Sequence, residues 1–220
     1  MKEKGLPVVN PHPVSPDARQ FLRQATHDDH VRLNLHPLLS GITRPGYALS
    51  SYQLVLVAYY HYYRELEAAI DRALAAGVST FAYEARRKLG WLASDLAYFG
   101  IDPEAVAWRP ASPVAAFSFA DEGALLGALY TVEGSSLGGQ VIIRHLAAQL
   151  GLGPATGGRF FYGYGEETMS LWTQFEAFMN QALIDDTSRG SAQHAARTTF
   201  ATMERILDAY LARHQSAIRP

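Results

Sequence analysis

YTVEGSSLGGQVIIR, residues 130–144, decides how this chain is read. Apolar, helix-forming sequence enters it from Leu125 and leaves it through Leu150. Gly134, Gly138 and Gly139 fall within six residues, and each glycine costs a helix about 1 kcal/mol against alanine. Such a penalty marks a kink, or a place where something approaches the backbone closely. Gly134 and Gly138 are four apart and share one helix face, with Ser135 and Gly139 beside them. Only Leu137 projects a bulky side chain between them. Two readings compete: small residues that let a second helix touch, and a bare strip on which a flat ligand lies. The strip alone does not separate them.

Composition narrows the field. At 220 residues, 48% hydrophobic and with a net charge of −2, the chain is an ordinary globular protein with ample core. No basic excess argues for nucleic acid, and no charge block suggests an interaction tail. The absence of cysteine excludes disulfides, iron–sulfur ligation and thiolate chemistry, and suits a cytoplasmic setting. MKEKGLPVVNPHPVSP, at the start, lacks the apolar core of a signal peptide. The longest apolar run, residues 54–63, carries His61 and four tyrosines and falls short of a membrane span.

Outward from the strip, the periodicity is helical throughout. Residues 1–15, with Pro7, Pro11 and Pro13, read as a flexible, extended arm, and residues 16–220 as one domain. Ser15-Pro16-Asp17 is a helix start, and that helix runs to about Leu35. Leu22, Thr26, His30 and Leu33 share its inward face, with Arg23 and His27 flanking His30 nearer the start. A second helix opens at Ser50, where Ser50 and Gln53 have the spacing of a capping box, and stops at Gly77. A third covers residues 80–99. Pro103, Pro110 and Pro113 mark a loop before Asp121 starts the glycine-bearing helix, which ends at Gly151. GPATGGRFFYGYG is an irregular aromatic loop. Glu166 opens a helix that ends near Asp185, and Ser191 opens the last. Six or seven helices and scarce strand signals define an all-α, single-domain helical bundle.

Among eight histidines, His30 stands out by its inward face. A lone buried histidine is more often a hydrogen-bonded core residue than a ligand. A neutral imidazole opposite a side-chain-free strip, however, is what an iron porphyrin requires: one axial ligand and an open far side. Arg23 and His27 lie where they can meet carboxylates at the edge of such a disc. A di-iron carboxylate centre needs Glu-x-x-His motifs, and no Asp or Glu stands three residues before any histidine. No G-x-S-x-G elbow, phosphate loop or dinucleotide fingerprint appears.

At this point the sequence resembles the heme oxygenase family. LRQATHDDH, residues 22–30, resembles the first-helix motif in which a threonine precedes the proximal histidine by four positions. EGSSLGGQVI, residues 133–142, resembles the glycine-bearing distal helix. GGRFFYGY, LWTQFEAFMN and TTFATMERI resemble the aromatic loop and the last two helices. The resemblance implies a heme oxygenase-type bundle that holds heme b as both cofactor and substrate. It implies that dioxygen binds at the iron and that the ring opens to biliverdin, with release of carbon monoxide and iron. By the same resemblance His30 is the iron ligand, and Gly134, Ser135, Gly138 and Gly139 form the distal wall. Gly134, Ser135 and Gly138 then shape the catalytic side, while Arg23 and His27 meet a propionate and Tyr130 stands on the distal side. Electrons come from an external reductase or ferredoxin, and a phytochrome-type photoreceptor is an expected recipient of biliverdin. Two departures accompany the resemblance. Ser135 stands where animal-type members carry aspartate. Trp172 and Glu176 stand where basic residues of the penultimate helix clamp propionates. A glutamate facing a propionate would repel it, so heme is expected to sit rotated or to take its cations elsewhere. The same fold without turnover, a heme carrier, is the alternative; a thiaminase-like or metal-oxidase reading lacks its motifs.

Overall fold

A computed structural model describes residues 17–105 and 117–218, with side chains through residue 212. Within them the chain forms eight α-helices and no strand. They are α1 (Ala18–Ala25), α2 (His27–Asn34), α3 (Leu49–Ala75), α4 (Leu89–Tyr98), α5 (Glu122–Leu150), α6 (Arg159–Tyr162), α7 (Thr168–Ala182) and α8 (Asp186–Ile218). The all-α, single-domain bundle expected from the periodicity is the architecture found. The N-terminal arm, the Ser15 cap, and Pro110 and Pro113 lie outside the described residues.

The fold is assembled around α3, α5 and α8. α3 brings Tyr52, Val55, Leu56, Ala58, Tyr62 and Tyr63 into the core, each 1% exposed or less. α5 starts where Asp121 accepts a hydrogen bond from the Ala124 amide at 2.8 Å, and ends at Gly151, whose φ of 68° no bulkier residue adopts readily. α8 lies against α5 and runs parallel to it, because Gly123 meets Ser188 and, four residues on in both helices, Gly127 meets Ala192. A Cβ on either glycine would overlap a backbone carbonyl of α8. Close helix packing therefore uses Gly123 and Gly127, one turn apart and upstream of the strip. Through the strip itself α5 remains one uninterrupted helix.

Local differences from the sequence expectations have physical causes. The first helix is two, broken at Thr26 (φ −112°, ψ 10°), whose hydroxyl donates back to the Leu22 carbonyl at 2.7 Å. Its N-cap is Asp17, which accepts from the Gln20 amide at 2.6 Å. The capping box at Ser50 does not form: α3 starts one residue earlier, after Ala48, with no side-chain cap. Residues 80–88 hold only a short 3-10 turn (Glu84–Arg86) instead of a helix. Here Arg86 and Lys88 turn inward to Glu133 of α5, at 2.6 and 2.5 Å. Glu67 of α3 caps the start of α4, accepting from the Lys88 and Leu89 amides at 2.6 and 3.1 Å. α7 starts at Thr168 after a 3-10 turn (Gly165–Glu167), not at Glu166, and ends at Ala182, short of Asp185. α8 begins at Asp186, not Ser191, where Asp185 accepts from the Ser188 amide at 2.8 Å.

The aromatic loop also contains the short helix α6. Buried Asp95 of α4 organises it, accepting from the Arg159 and Phe160 amides at 2.7 and 2.8 Å. That cap sets Phe160 and Phe161 against α5, with the Phe161 carbonyl 2.8 Å from where a Cβ on Gly139 would stand. Among the described residues no helix is long and apolar enough to cross a membrane.

The α5–α8 contact makes a direct test. Gly127→Ala is expected to lower unfolding stability by about 1–3 kcal/mol, because its methyl has only backbone to displace. Gly90→Ala on α4, with nothing within 4 Å of the added carbon, is expected to be neutral or stabilising. Urea denaturation of the two variants checks both.

Candidate functional site

A cavity of about 470 Å³ lies between the α1–α2 pair and α5, within the size range of small-molecule and cofactor sites. Arg23, His27, His30, Tyr130, Gly134, Ser135, Gly138 and Gly139 all line it. Residues a hundred positions apart in sequence thus meet around one space.

One wall is the strip on α5. A Cβ added to Gly138 would meet nothing within 4 Å, and one on Gly134 would meet only the far edge of the Trp172 ring, at 3.7 Å. The two readings of the glycines are therefore resolved position by position. Gly123 and Gly127 serve helix packing, Gly134 and Gly138 keep the cavity open, and Gly139 does both, bordering the cavity and receiving the Phe161 backbone. The Ser135 hydroxyl donates to the Val132 carbonyl at 2.8 Å, so its oxygen faces outward as an acceptor.

The opposite wall carries His30. Its imidazole is accessible from the cavity and packs edge-on against Phe200 of α8, ring centroids 6.1 Å apart. The Asn34 amide nitrogen lies 3.3 Å from either ring nitrogen and can serve only one of them. Partial burial, then the neighbouring His27 and Arg23 charges, hold the His30 pKa below the ordinary imidazole value. The ring is consequently neutral down to lower pH than a free histidine, and its one lone pair, which the Asn34 amide otherwise meets, can go to a metal when that amide turns away.

Cations gather at the α1 edge of the cavity. Arg23 has no ion pair among the described residues, whereas Arg19, one turn earlier, pairs with Glu176 at 3.0 Å and lies over the Trp172 ring. Glu176, the residue expected to repel a propionate, is paired with Arg19, which offsets its charge locally. Tyr130 is half-buried, and its burial raises the phenol's pKa.

Sequence reasoning missed several lining residues. Arg19 was legible, since it precedes Arg23 by four and shares its face. Tyr59, Tyr62 and Tyr63 of α3 also line the cavity, and their i, i+3, i+4 spacing inside the tyrosine-rich run was the available signal. Burial pushes all three phenols upward, so they remain neutral hydrogen-bonding groups. Tyr63 sits beside Ser135. Lys88 had no local signal at all: a lysine 2% exposed in the cavity wall is dictated by its tertiary partner Glu133. Among the described residues no group of three or more His, Asp or Glu side chains converges as a metal cluster would.

The sequence and the fold both have known relatives. The heme oxygenase family model matches residues 17–209. A heme oxygenase from Xanthomonas campestris pv. campestris is 33% identical over 128 residues, covering 58% of this chain and 71% of that protein. The fold matches heme oxygenase-2 from Synechocystis, solved with heme and NO, at a TM-score of 0.76 and 16% identity, over 92% of this chain and 88% of that one. The heme oxygenase from Leptospira interrogans matches at 0.72 and 17% identity, over 88% of this chain and all of that one. The chain belongs to the heme oxygenase family.

Two measurements probe the site. Gly138→Ala is expected to raise the stability of the ligand-free protein by about 0.5–1 kcal/mol, since alanine suits a helix and meets no neighbour, while weakening binding of any flat ligand seated there. Thermal melts with and without hemin read both effects. Arg23→Gln is expected to raise the His30 pKa, because one suppressing charge is gone. Metal-ligand competence then disappears at a higher pH, and imidazole proton shifts followed by NMR against pH give the sign.

Proposed function

We propose that this chain degrades heme, opening the macrocycle to biliverdin with release of carbon monoxide and iron. Dioxygen and externally supplied electrons are consumed. The observation that carries the proposal is His30 facing, across one cavity, a helix strip whose Cβ positions are open at Gly138 and nearly so at Gly134. Heme, when bound, supplies the iron at which oxygen is activated and is also the substrate.

The residues present fit that group. His30 would hold the iron through an imidazole that partial burial keeps neutral. Arg23 and Arg19 receive carboxylates at the α1 edge, and His27 stands beside them. Gly134 and Gly138 let the ring lie against backbone. The Ser135 oxygen, its hydrogen given to Val132, is left to accept from a water on the α5 side, with Tyr63 beside it. Phe160 and Phe161 exclude bulk water from the inner end. The chain carries no cysteine for an iron–sulfur relay, so a reductase or ferredoxin is the proposed electron donor, and a phytochrome-type protein a proposed biliverdin acceptor.

One observation favours a second reading, a heme carrier without turnover. The Ser135 hydroxyl gives its hydrogen to Val132, which leaves that position without a donor toward the cavity.

A hemin titration followed by reduction in air separates the two. The first reading expects a single binding site and conversion of the Soret spectrum to that of biliverdin; stable heme under electron supply supports the carrier. His30→Ala is expected to lose the axial ligand, with a displaced Soret band and turnover reduced at least about a hundredfold. An unchanged band with full turnover in that variant would sink the assignment of His30.

A further inference from the structure

Behind the α5 strip lies a buried charge cluster that the reaction above does not use. Glu133 immediately precedes Gly134 and is 2% exposed. Two cations converge on it: Arg86 on one carboxylate oxygen at 2.6 Å, Lys88 on the other at 2.5 Å. Tyr164 donates to the same carboxylate at 2.9 Å. The Lys88 ammonium also donates to the Tyr164 hydroxyl at 2.9 Å and to the Arg86 carbonyl at 3.2 Å, which uses its three hydrogens. Arg86 reaches on to the Leu171 carbonyl of α7 at 3.1 Å.

Charges around Glu133 do not balance. One carboxylate answers two cations. Another buried carboxylate, Glu67, is occupied by the Lys88 and Leu89 amides and by the Tyr83 hydroxyl, with Arg87 at 3.7 Å from it. Asp71 and Glu84 are turned to Arg87 at the surface. The phenols that face the cluster, Tyr63, Tyr83 and Tyr164, are kept neutral by burial. Of the two cations on Glu133, Lys88 is the one that lines the cavity.

We propose that Lys88, held rigid by Glu133 and Tyr164, is a fixed positive charge in the α5-side wall of the cavity and favours small anions there over neutral ligands. Lys88 acts through its field and not by a hydrogen bond, because its donors are committed. It is a positioning charge, and in the low-dielectric wall its effect is screened far less than that of a surface lysine. This inference rests on the heme reading, since the anion it favours would bind the metal opposite His30.

The test uses the hemin complex of the full chain, titrated with sodium azide as the anionic probe and, after reduction, with carbon monoxide as the neutral one. Lys88→Met is expected to weaken azide binding on the order of tenfold and to leave carbon monoxide binding within about twofold. Lys88→Gln is the second variant, with the same expected loss, where the methionine variant does not fold. The double variant K88M/E133Q removes one charge of each sign and leaves the more distant Arg86 unopposed, so azide affinity is expected to rise above that of the single variant, part of the way back to the unaltered chain. A merely structural role predicts the reverse, a double variant no better than the single. That result, or an azide affinity untouched by removing Lys88, overturns the proposal. Absence of any Soret change when hemin is first added to the unaltered chain would remove the heme reading itself, and is seen before azide enters.

Discussion

The structure depends on how close α5 can be approached, and by what. One helix carries two sets of glycines with opposite consequences. At Gly123 and Gly127 the missing side chain is replaced by the α8 backbone, which comes inside the distance any Cβ would allow. One turn and more downstream, at Gly134 and Gly138, the missing side chain is replaced by space. The first set holds α8 parallel and tight, so that its further course brings Thr199, Phe200 and Met203 to the cavity. The second set leaves the wall that His30 faces.

A helix weakened by glycine over one stretch needs support from elsewhere, and Glu133 supplies it. Its carboxylate ties α5 to the 3-10 segment through Arg86, to the start of α4 through Lys88 and to the aromatic loop through Tyr164. Burying three charges costs several kcal/mol per ion before pairing, so such a cluster is a weak source of stability. Its value is geometric: one register satisfies every partner, and a slip of α5 would strand charges in the core. From the other side the Asp95 cap does related work, placing the Phe161 carbonyl against Gly139.

On the cavity side, charge and neutrality are distributed by the same packing. Partial burial first, then the nearby His27 and Arg23 charges, disfavour protonation of His30. Arg19 is shared between the cavity edge and Glu176, which explains how an acidic residue is tolerated on α7 near a site expected to receive carboxylates. Tyr59, Tyr62 and Tyr63 give the inner wall hydroxyls without titratable charge.

Local sequence determined a good deal. Helical periodicity established the all-α class, and Asp121 and Gly151 marked both ends of α5; the step from Leu22 through Thr26 to His30 pointed to the cavity side, but the break at Thr26 leaves the imidazole exposed at the cavity and buries Asp29 instead. These are properties of spacing, and spacing is written in the chain. What the glycines are for was not legible, because a glycine that admits a helix and one that admits a ligand look alike until the neighbour is known. Nor was the fate of residues 80–88, whose local preference for helix loses to the pull of Glu133 on Arg86 and Lys88. The pairing of Arg19 with Glu176, the inward turn of Lys88 and the Asp95 cap on α6 join positions far apart in sequence. Tertiary structure alone decided them, since a buried charge or an uncapped amide takes whichever partner the packing brings within reach.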